Sequence, residues 1–316
     1  MNNPYLSIVI PFFNEEESLI PLHEEIKKNI ENISYEIIFI DDGSSDSSNQ
    51  KIKNIISENQ NICLITLNRN QGKSQALNRG FKYSRGDVVV TMDADLQDDP
   101  AEIKNLISKI DEGWDVVSGW KKKRNDPIGK TLPSKIFNFI VSWFSGIKIH
   151  DFNCGLKAYN KKVIKSLNIY GGLHRFIPYL ASSNGFSVTE IPVNHRSREF
   201  GDSKYGGSRM FKGFFDFLSV MFISKYSKRP LHVFGFVGIL LFISGLIINI
   251  ILSYEWIVNR YLLDVPYSID RPLLFLGILF IIIGIQIFSI GFIAELIVSY
   301  LSKNEEVDED IIGPEN

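Results

Sequence analysis

Three acidic clusters follow three short apolar runs in this sequence: Asn14-Glu15 after residues 6–12, Asp41-Asp42 within and after 35–41, and Asp93-Ala94-Asp95-Leu96-Gln97 after 87–92. Asn and Asp beyond a strand are ordinary turn and cap residues, so one cluster alone says little. Three of them behind strands of one sheet would meet in the crevice beyond the carboxyl ends, where open α/β sheets bind ligands. Asp93 and Asp95, two residues apart, can face one pocket, and with Gln97 they make an all-oxygen ligand set suited to Mg²⁺ or Mn²⁺. Carboxylates this close repel unless a cation lies between them. An EF-hand loop is excluded, because its sixth position would be Asp98 in place of glycine and its twelfth Lys104 in place of Glu. A divalent ion held by so few carboxylates most naturally completes its shell with the diphosphate oxygens of a nucleotide.

A second constellation lies later, in Arg196-Ser197-Arg198-Glu199-Phe200-Gly201-Asp202-Ser203-Lys204-Tyr205-Gly206-Gly207. Cations, glycines and hydroxyls in one loop can close over a diphosphate and offset its charge, although solvated cations near anionic lipid have the same composition. Two motifs mislead. Gly72-Lys73-Ser74 resembles the end of a P-loop, but the glycine required five positions earlier is Leu67. No GxGxxG follows the first apolar run, which disfavours a dinucleotide site.

The elements that position these groups alternate. Apolar β-type runs at 6–12, 35–41, 62–67, 87–92 and 115–118 precede helical patterns at 15–30, 46–58, 72–84, 100–111 and 131–144. Strand and helix in turn predict an α/β fold, a largely parallel sheet with helices on both faces. Asn14 with Glu17 resembles a capping box, and Pro100 suits a first helical position.

Beyond residue 232 the composition changes. Residues 233–254 and 273–294 are uncharged and mostly apolar, and as helices each would reach roughly 33 Å, enough for a bilayer core of about 30 Å. Lys225, Lys228 and Arg229 precede the first span, whereas the loop 255–272 carries Arg260 and Arg271 with three acids. Positive-inside counting puts residues 1–232 and the acidic tail 302–316 in the cytoplasm. Residues 209–228 mix Phe, Leu, Met and Ile with Lys and Arg, which suits a helix in the headgroup region. The organisation expected is a catalytic domain over 1–207, an interfacial helix over 208–232, a two-helix hairpin over 233–301 and a solvated tail. Gly235, Gly238 and Gly245 could pack the spans against copies of themselves, giving a homo-oligomer.

Composition sets the outer limits. With 34 basic and 36 acidic residues, net charge −2, binding to nucleic acid through bulk positive charge is not expected. Apolar types make up 45% and charged types 22%, which is globular. Cys63 and Cys154 are too few for a disulfide framework and indicate a reducing compartment. The run Leu6 to Phe13 has no basic leader and meets three glutamates, so it is not expected to be a secretory signal.

With IVIPFFNEEESL, IDDGSSDSS, MDADLQDDP and RSREFGDSKYG in this order ahead of two spans, the chain resembles family 2 glycosyltransferases of GT-A fold. Within that family it is similar to the polyprenyl-phosphate glycosyltransferases, which include dolichyl-phosphate mannose synthase and bacterial undecaprenyl-phosphate sugar transferases. The resemblance covers roughly residues 5–210 in detail and the spans in layout. It implies that Pro11, Phe13, Glu15, Ile40 and Asp42 hold the nucleoside, and that Asp93, Ala94, Asp95 and Gln97 bind metal and diphosphate. It implies further that Arg198 and Lys204 clamp the phosphates, that Lys121 and Lys135 receive the lipid phosphate, and that Asp151 lies near the acceptor side of the sugar. Asp151 before Asn153 and Gly155 also reads as a turn residue. Processive synthases of the family carry QxxRW, and none of the four tryptophans here follows an arginine, which favours transfer of a single sugar.

The expected reaction is transfer of one sugar, with inversion, from a UDP- or GDP-sugar to the phosphate of a polyprenyl or dolichyl phosphate, with Mg²⁺ or Mn²⁺. Asp93, Asp95, Arg198, Lys204 and Asp151 are the candidate catalytic residues. Competing readings are a membrane-anchored nucleotide-sugar-binding scaffold without turnover, a transferase with another lipid acceptor, and a transporter. The last is weakened by spans with no ionisable residue before Glu295.

Overall fold

The computed structural model describes residues 3–122, 138, 141–142, 146–196, 216–222, 229–263 and 271–302. The chain divides into two compact units, Met1–Met221 and Phe222–Asn316.

The first unit is built on a seven-stranded sheet. Its strands are β1 (Leu6–Phe12), β2 (Tyr35–Asp41), β3 (Ile62–Thr66), β4 (Val88–Thr91), β5 (Val116–Trp120), β6 (Lys157–Asn160) and β7 (Val188–Pro192). They lie in the order β3-β2-β1-β4-β6-β5-β7. β6 pairs antiparallel with β4 and β5, and the other pairings are parallel. The central strands are buried along their lengths because both faces are covered. Side chains alternate between those faces. Leu6, Ile8 and Ile10 pack with helices α1 (Leu19–Asn29), α2 (Ser48–Glu58) and α4 (Ile103–Asp111). Val9, Ile38 and Ile40 pack with α3 (Lys73–Tyr83), α5 (Lys161–Ser166) and α6 (Ile177–Ser183). The expected sheet with helices on both faces is present, with one antiparallel strand inserted beside its centre.

Local chemistry departs from expectation at two points. Asn14 caps no helix: α1 starts at Leu19, and Asn14 adopts φ +52, where its Oδ1 accepts the Ser45 amide at 2.8 Å. Asparagine tolerates that left-handed conformation better than most residues. Pro100 does open a 3₁₀ turn (Pro100–Glu102), with Asp99 accepting the Ala101 amide at 3.0 Å. Of the helix expected over 131–144, residues 138, 141 and 142 are described and are helical. The compact unit also runs past residue 207. In the helix 216–222, Phe217 and Val220 are buried beside Ile169, Leu173 and Phe176, while Leu218 and Phe222 stay exposed.

The second unit contains two long helices, α7 (Pro230–Ile257), continued by a π turn (Val258–Leu262), and α8 (Arg271–Ser302). Both are long and apolar enough to cross a membrane. They meet through glycines: a Cβ on Gly238 would lie 2.7 Å from the Gly284 oxygen, and one on Gly284 2.6 Å from the Phe242 amide nitrogen. A Cβ on Gly245 would lie 2.4 Å from the Gly277 oxygen. Two of the three glycines expected to favour self-association therefore serve contact within the chain. The Leu231 amide, one of the unpaired donors at the start of α7, donates to Glu295 of α8 at 3.1 Å. Gly284→Ala should lower the thermal unfolding temperature of the detergent-solubilised protein, at a cost of roughly 1–3 kcal/mol for the overpacked contact. Ile285→Ala, at the next and half-exposed position, should leave it nearly unchanged. Equal stability of the two variants would refute the close glycine contact.

Candidate active site

The three acidic clusters come together because β2, β1 and β4 are neighbours whose carboxyl ends lie on one edge of the sheet. Backbone amides and short side chains tie the loops there to one another. Asn14 and Glu15 donate their amides to Ser44 Oγ and Ser48 Oγ, both at 3.0 Å. Asp41 accepts the Ser44 amide and the Asn49 side chain, both at 2.7 Å. Asp42 is buried and accepts the amides of Gln71 at 2.7 Å and Gly72 at 2.9 Å, which fixes the loop leading into α3. Burial pushes its pKa up, against the pull of those two hydrogen bonds. Gly43 allows this approach: at φ +77 its Cβ would lie 2.6 Å from the Arg69 carbonyl carbon.

The residues expected at the nucleoside therefore stand in distinct environments. Pro11, Phe13 and Glu15 are half-buried at the rim. Ile40 is fully buried and packs in the core, and the Asp42 carboxylate holds the β3–α3 loop.

The β4 loop is held more tightly. Leu96 has φ +61 while its side chain is buried, so this turn carries a conformation costly for a non-glycine residue, of order 1–3 kcal/mol. Surrounding contacts fix it. Asp95 Oδ1 accepts the Gln97 amide at 3.2 Å, and Asp98 Oδ2 accepts the Asp93 amide at 3.3 Å. The Gln97 carbonyl accepts the Arg196 amide at 2.9 Å, and Asp98 forms a bridge with His195. Arg196 binds Glu25 at 2.7 Å and Asp99 at 2.9 Å, so the first cation of the basic run braces the β4 loop. Arg198, Lys204 and Lys135 lie outside the described residues.

Asp93 sits among lysines. Its carboxylate is in contact with Lys73 Nζ, at the first residue of α3. Desolvation raises its pKa, but Lys73, Lys121 and Lys157 together outweigh that and hold it well below the usual carboxylate range. Lys121 is almost buried and pairs with buried Asp98 at 3.3 Å. Desolvation opposes its charge, yet Asp98, Cys154, Asp93 and Asp151 raise its pKa overall. Lys157, fully buried at the start of β6, donates to the Cys154 carbonyl, and burial lowers its pKa. Asp151 is buried and its Oδ1 accepts the Asn153 amide at 3.0 Å, the turn geometry that its spacing suggested. Gly155 leaves room for the key carboxylate, since a Cβ there would lie 2.4 Å from Asp93 Oδ2.

Lys73, Lys157, Asn153 and Gly155 line a small cleft with His174 and Arg175. Burial, with Lys73, Arg175 and Lys157 nearby, drives the His174 pKa far down. Sequence reasoning missed Lys73, Lys157, Gly155, His174 and Arg175. Lys157 had no usable signal, because the four-residue strand it opens is too short and too polar to stand out as an apolar run. Lys73 had one, in the Gly-Lys-Ser triplet set aside as a decoy.

Among the described residues, no group of three or more His, Cys, Asp and Glu side chains forms a ready metal cage. Two carboxylates and an amide on one loop are instead an incomplete set of hard oxygen donors. That suits a cation which takes its remaining ligands from water and from diphosphate oxygens.

Residues 7–167 match the Glycosyl transferase family 2 domain. The chain belongs to glycosyltransferase family 2. This family member is 35% identical over 301 residues to a dodecaprenyl-phosphate galacturonate synthase of Rhizobium johnstonii, covering 92% of this chain and 87% of that protein. It is 36% identical over 295 residues to an undecaprenyl-phosphate 4-deoxy-4-formamido-L-arabinose transferase of Salmonella choleraesuis, covering 92% and 88%. In fold, the glycosyltransferase resembles glucosyl-3-phosphoglycerate synthase of Mycobacterium tuberculosis, crystallised with Mn²⁺, UDP and phosphoglyceric acid. The TM-score is 0.56 at 19% identity, over 69% of this chain and 78% of that one.

Gly155→Ala should push the Asp93 carboxylate out of place. Since only the end of a side chain must move, thermal stability should change little while glycosyl transfer falls at least tenfold. Full activity in that variant would show that the position of Asp93 is not critical.

Proposed function

We propose that this glycosyltransferase moves a single sugar from a UDP- or GDP-sugar to the phosphate of a membrane polyprenyl phosphate, with inversion at the anomeric carbon. The observation that carries this reading is the extent of the two matches: each spans 92% of the chain and so takes in both the sheet unit and the apolar helices. Both relatives are named for a polyprenyl-phosphate product or acceptor. The acceptor's phosphate lies at the headgroup plane and its tail stays in the bilayer. An enzyme anchored by α7 and α8 meets that phosphate at high effective concentration. In this reading the sheet unit and the acidic tail lie on the cytoplasmic side, which the Lys and Arg bias beside the first span supports.

In the reaction, a phosphate oxygen of the lipid attacks the anomeric carbon. A new carbon–oxygen bond forms as the bond to the nucleotide's diphosphate breaks, and the electron pair leaves with that diphosphate. A phosphate monoester has a second pKa of about 6, so the nucleophile is already ionised near neutral pH and a strong general base is unnecessary. Bound at Asp93, Asp95 and Gln97, Mg²⁺ or Mn²⁺ would supply Lewis-acid neutralisation of the leaving diphosphate. The chain's own residues do the rest. The rim formed by Pro11, Phe13 and Glu15 takes the nucleoside, Ile40 and Asp42 support the floor and wall beneath it, and the β4 loop positions its oxygen donors beside the diphosphate. Arg198 and Lys204 offset the charge that develops on the leaving group. Lys121 and Lys135 contribute positive potential for the lipid phosphate, and Asp151 lies close enough to Lys121 and Lys157 to steady their charges.

The decisive experiment incubates the full-length protein in detergent with polyprenyl phosphate, Mg²⁺ or Mn²⁺ and a panel of UDP- and GDP-sugars, and identifies the lipid by mass. The expected product is the lipid phosphate plus one sugar residue and no longer chain. Asp95→Ala should fold normally and lose about 10²–10³ in rate or more. Nucleotide-sugar binding with no lipid product from any donor would favour a scaffold without turnover.

A further inference from the structure

The lysine of the discarded Gly-Lys-Ser triplet carries one further inference. Lys73 opens α3, and the residues on either side of it are fixed. Before it, Gly72 adopts φ +88 and its amide is held by Asp42. After it, Ser74 is buried, and its Oγ accepts the His174 amide at 3.1 Å and lies 2.9 Å from His174 Nδ1. Ala76 and Leu77 of the same turn are packed in the core. The fold thus fixes the root of the Lys73 side chain, and its ammonium is in contact with Asp93 Oδ1. That carboxylate belongs to the oxygen set that would receive a divalent cation. An ammonium ion and a metal ion cannot both take the same oxygen at contact distance without strong repulsion. Lys121 and Lys157 add positive potential around Asp93 and raise the barrier to a cation arriving alone.

The diphosphate of a donor changes this balance. It brings negative charge that offers Lys73 a new partner and gives the metal further oxygen ligands. We propose that Lys73 is a built-in counter-ion: it holds Asp93 in the donor-free enzyme and yields it when nucleotide and metal arrive together. The inference rests on the divalent-cation reading given under Proposed function. It makes Lys73 a positioning residue whose charge couples two ligands, and because coupling is reciprocal, metal must strengthen nucleotide binding by the same factor.

The test measures Mn²⁺ binding by electron paramagnetic resonance of the free ion, using full-length protein in detergent. Mn²⁺ is titrated alone, with UDP and with GDP, and corrected for ion chelated by nucleotide in solution. Wild-type protein should bind Mn²⁺ weakly alone and at least tenfold more tightly with the cognate nucleotide. Lys73→Met should bind Mn²⁺ alone roughly two- to fivefold more tightly, the size of one partly exposed ion pair, and should gain correspondingly less from nucleotide. Lys73→Arg keeps the charge and should behave as wild type. Lys73→Gln provides a second neutral variant, and thermal unfolding confirms that each variant is folded. If both neutral variants bind Mn²⁺ alone no better than wild type, while wild type shows nucleotide-supported binding, the counter-ion role is refuted and the metal reading stands. If wild type takes up no Mn²⁺ with either nucleotide, the metal reading fails and the inference with it.

Discussion

The site depends on the placing of carboxylates among lysines beneath the β4 loop. Asp93, Asp98 and Asp151 share one neighbourhood with Lys73, Lys121 and Lys157, and several of these groups are buried. An ionised carboxylate withdrawn from water without a partner costs several kcal/mol, which is why charges buried in such a place are found in opposite-sign company. Pairing keeps Asp93 ionised, whereas an isolated buried acid would take up a proton and lose its ability to bind a cation. β6 makes this possible. As the antiparallel strand between β4 and β5, it brings Gly155 and Lys157 beside the end of β4.

The same edge of the sheet shows how much of a site's geometry is fixed by hydrogen bonds between its own loops. Asp41, Asp42, Ser44 and Ser48 fix loops through backbone amides. Arg196, from a run that reads as a clamp, instead ties Glu25 to Asp99 across the β4 loop. These contacts hold Leu96 in its left-handed conformation, which an unsupported loop would relax by turning that peptide over. Rigidity matters because electrostatic stabilisation of a leaving group works best when the charges are already in place.

Much of this was legible in the sequence. The parallel strands are uniform apolar runs because they are buried on both faces, and the clusters at their ends gave the crevice by topology alone. What escaped has physical reasons. β6 is only Lys157–Asn160, and its lysine and asparagine hide it from any apolar pattern. β7 is a half-exposed edge strand containing Thr189 and Glu190. Lys73 was visible but was judged against the one motif it fails to complete. Its partner Asp93 lies twenty residues away, and the two meet only because α3 packs on β1, the strand that pairs with β4. The reach of the first unit to Met221 has a similar physical basis: the apolar face of the helix 216–222 suits a lipid surface and a protein core equally well, and Phe217 and Val220 use it for the core.

The apolar hairpin has a simpler logic. Where two helices lie in hydrocarbon, burying Leu or Ile against the partner gains nothing over burying it in lipid, so close contact has to come from small residues and satisfied polar groups. Gly238, Gly245, Gly277 and Gly284 provide the first. The second is provided locally: Ser244, Asn249 and Ser289 return their side chains to carbonyls one turn back, and Glu295 accepts the Leu231 amide at the start of α7. A pair of helices so arranged is suited to anchoring the chain, and the chemistry is left to the edge of the sheet.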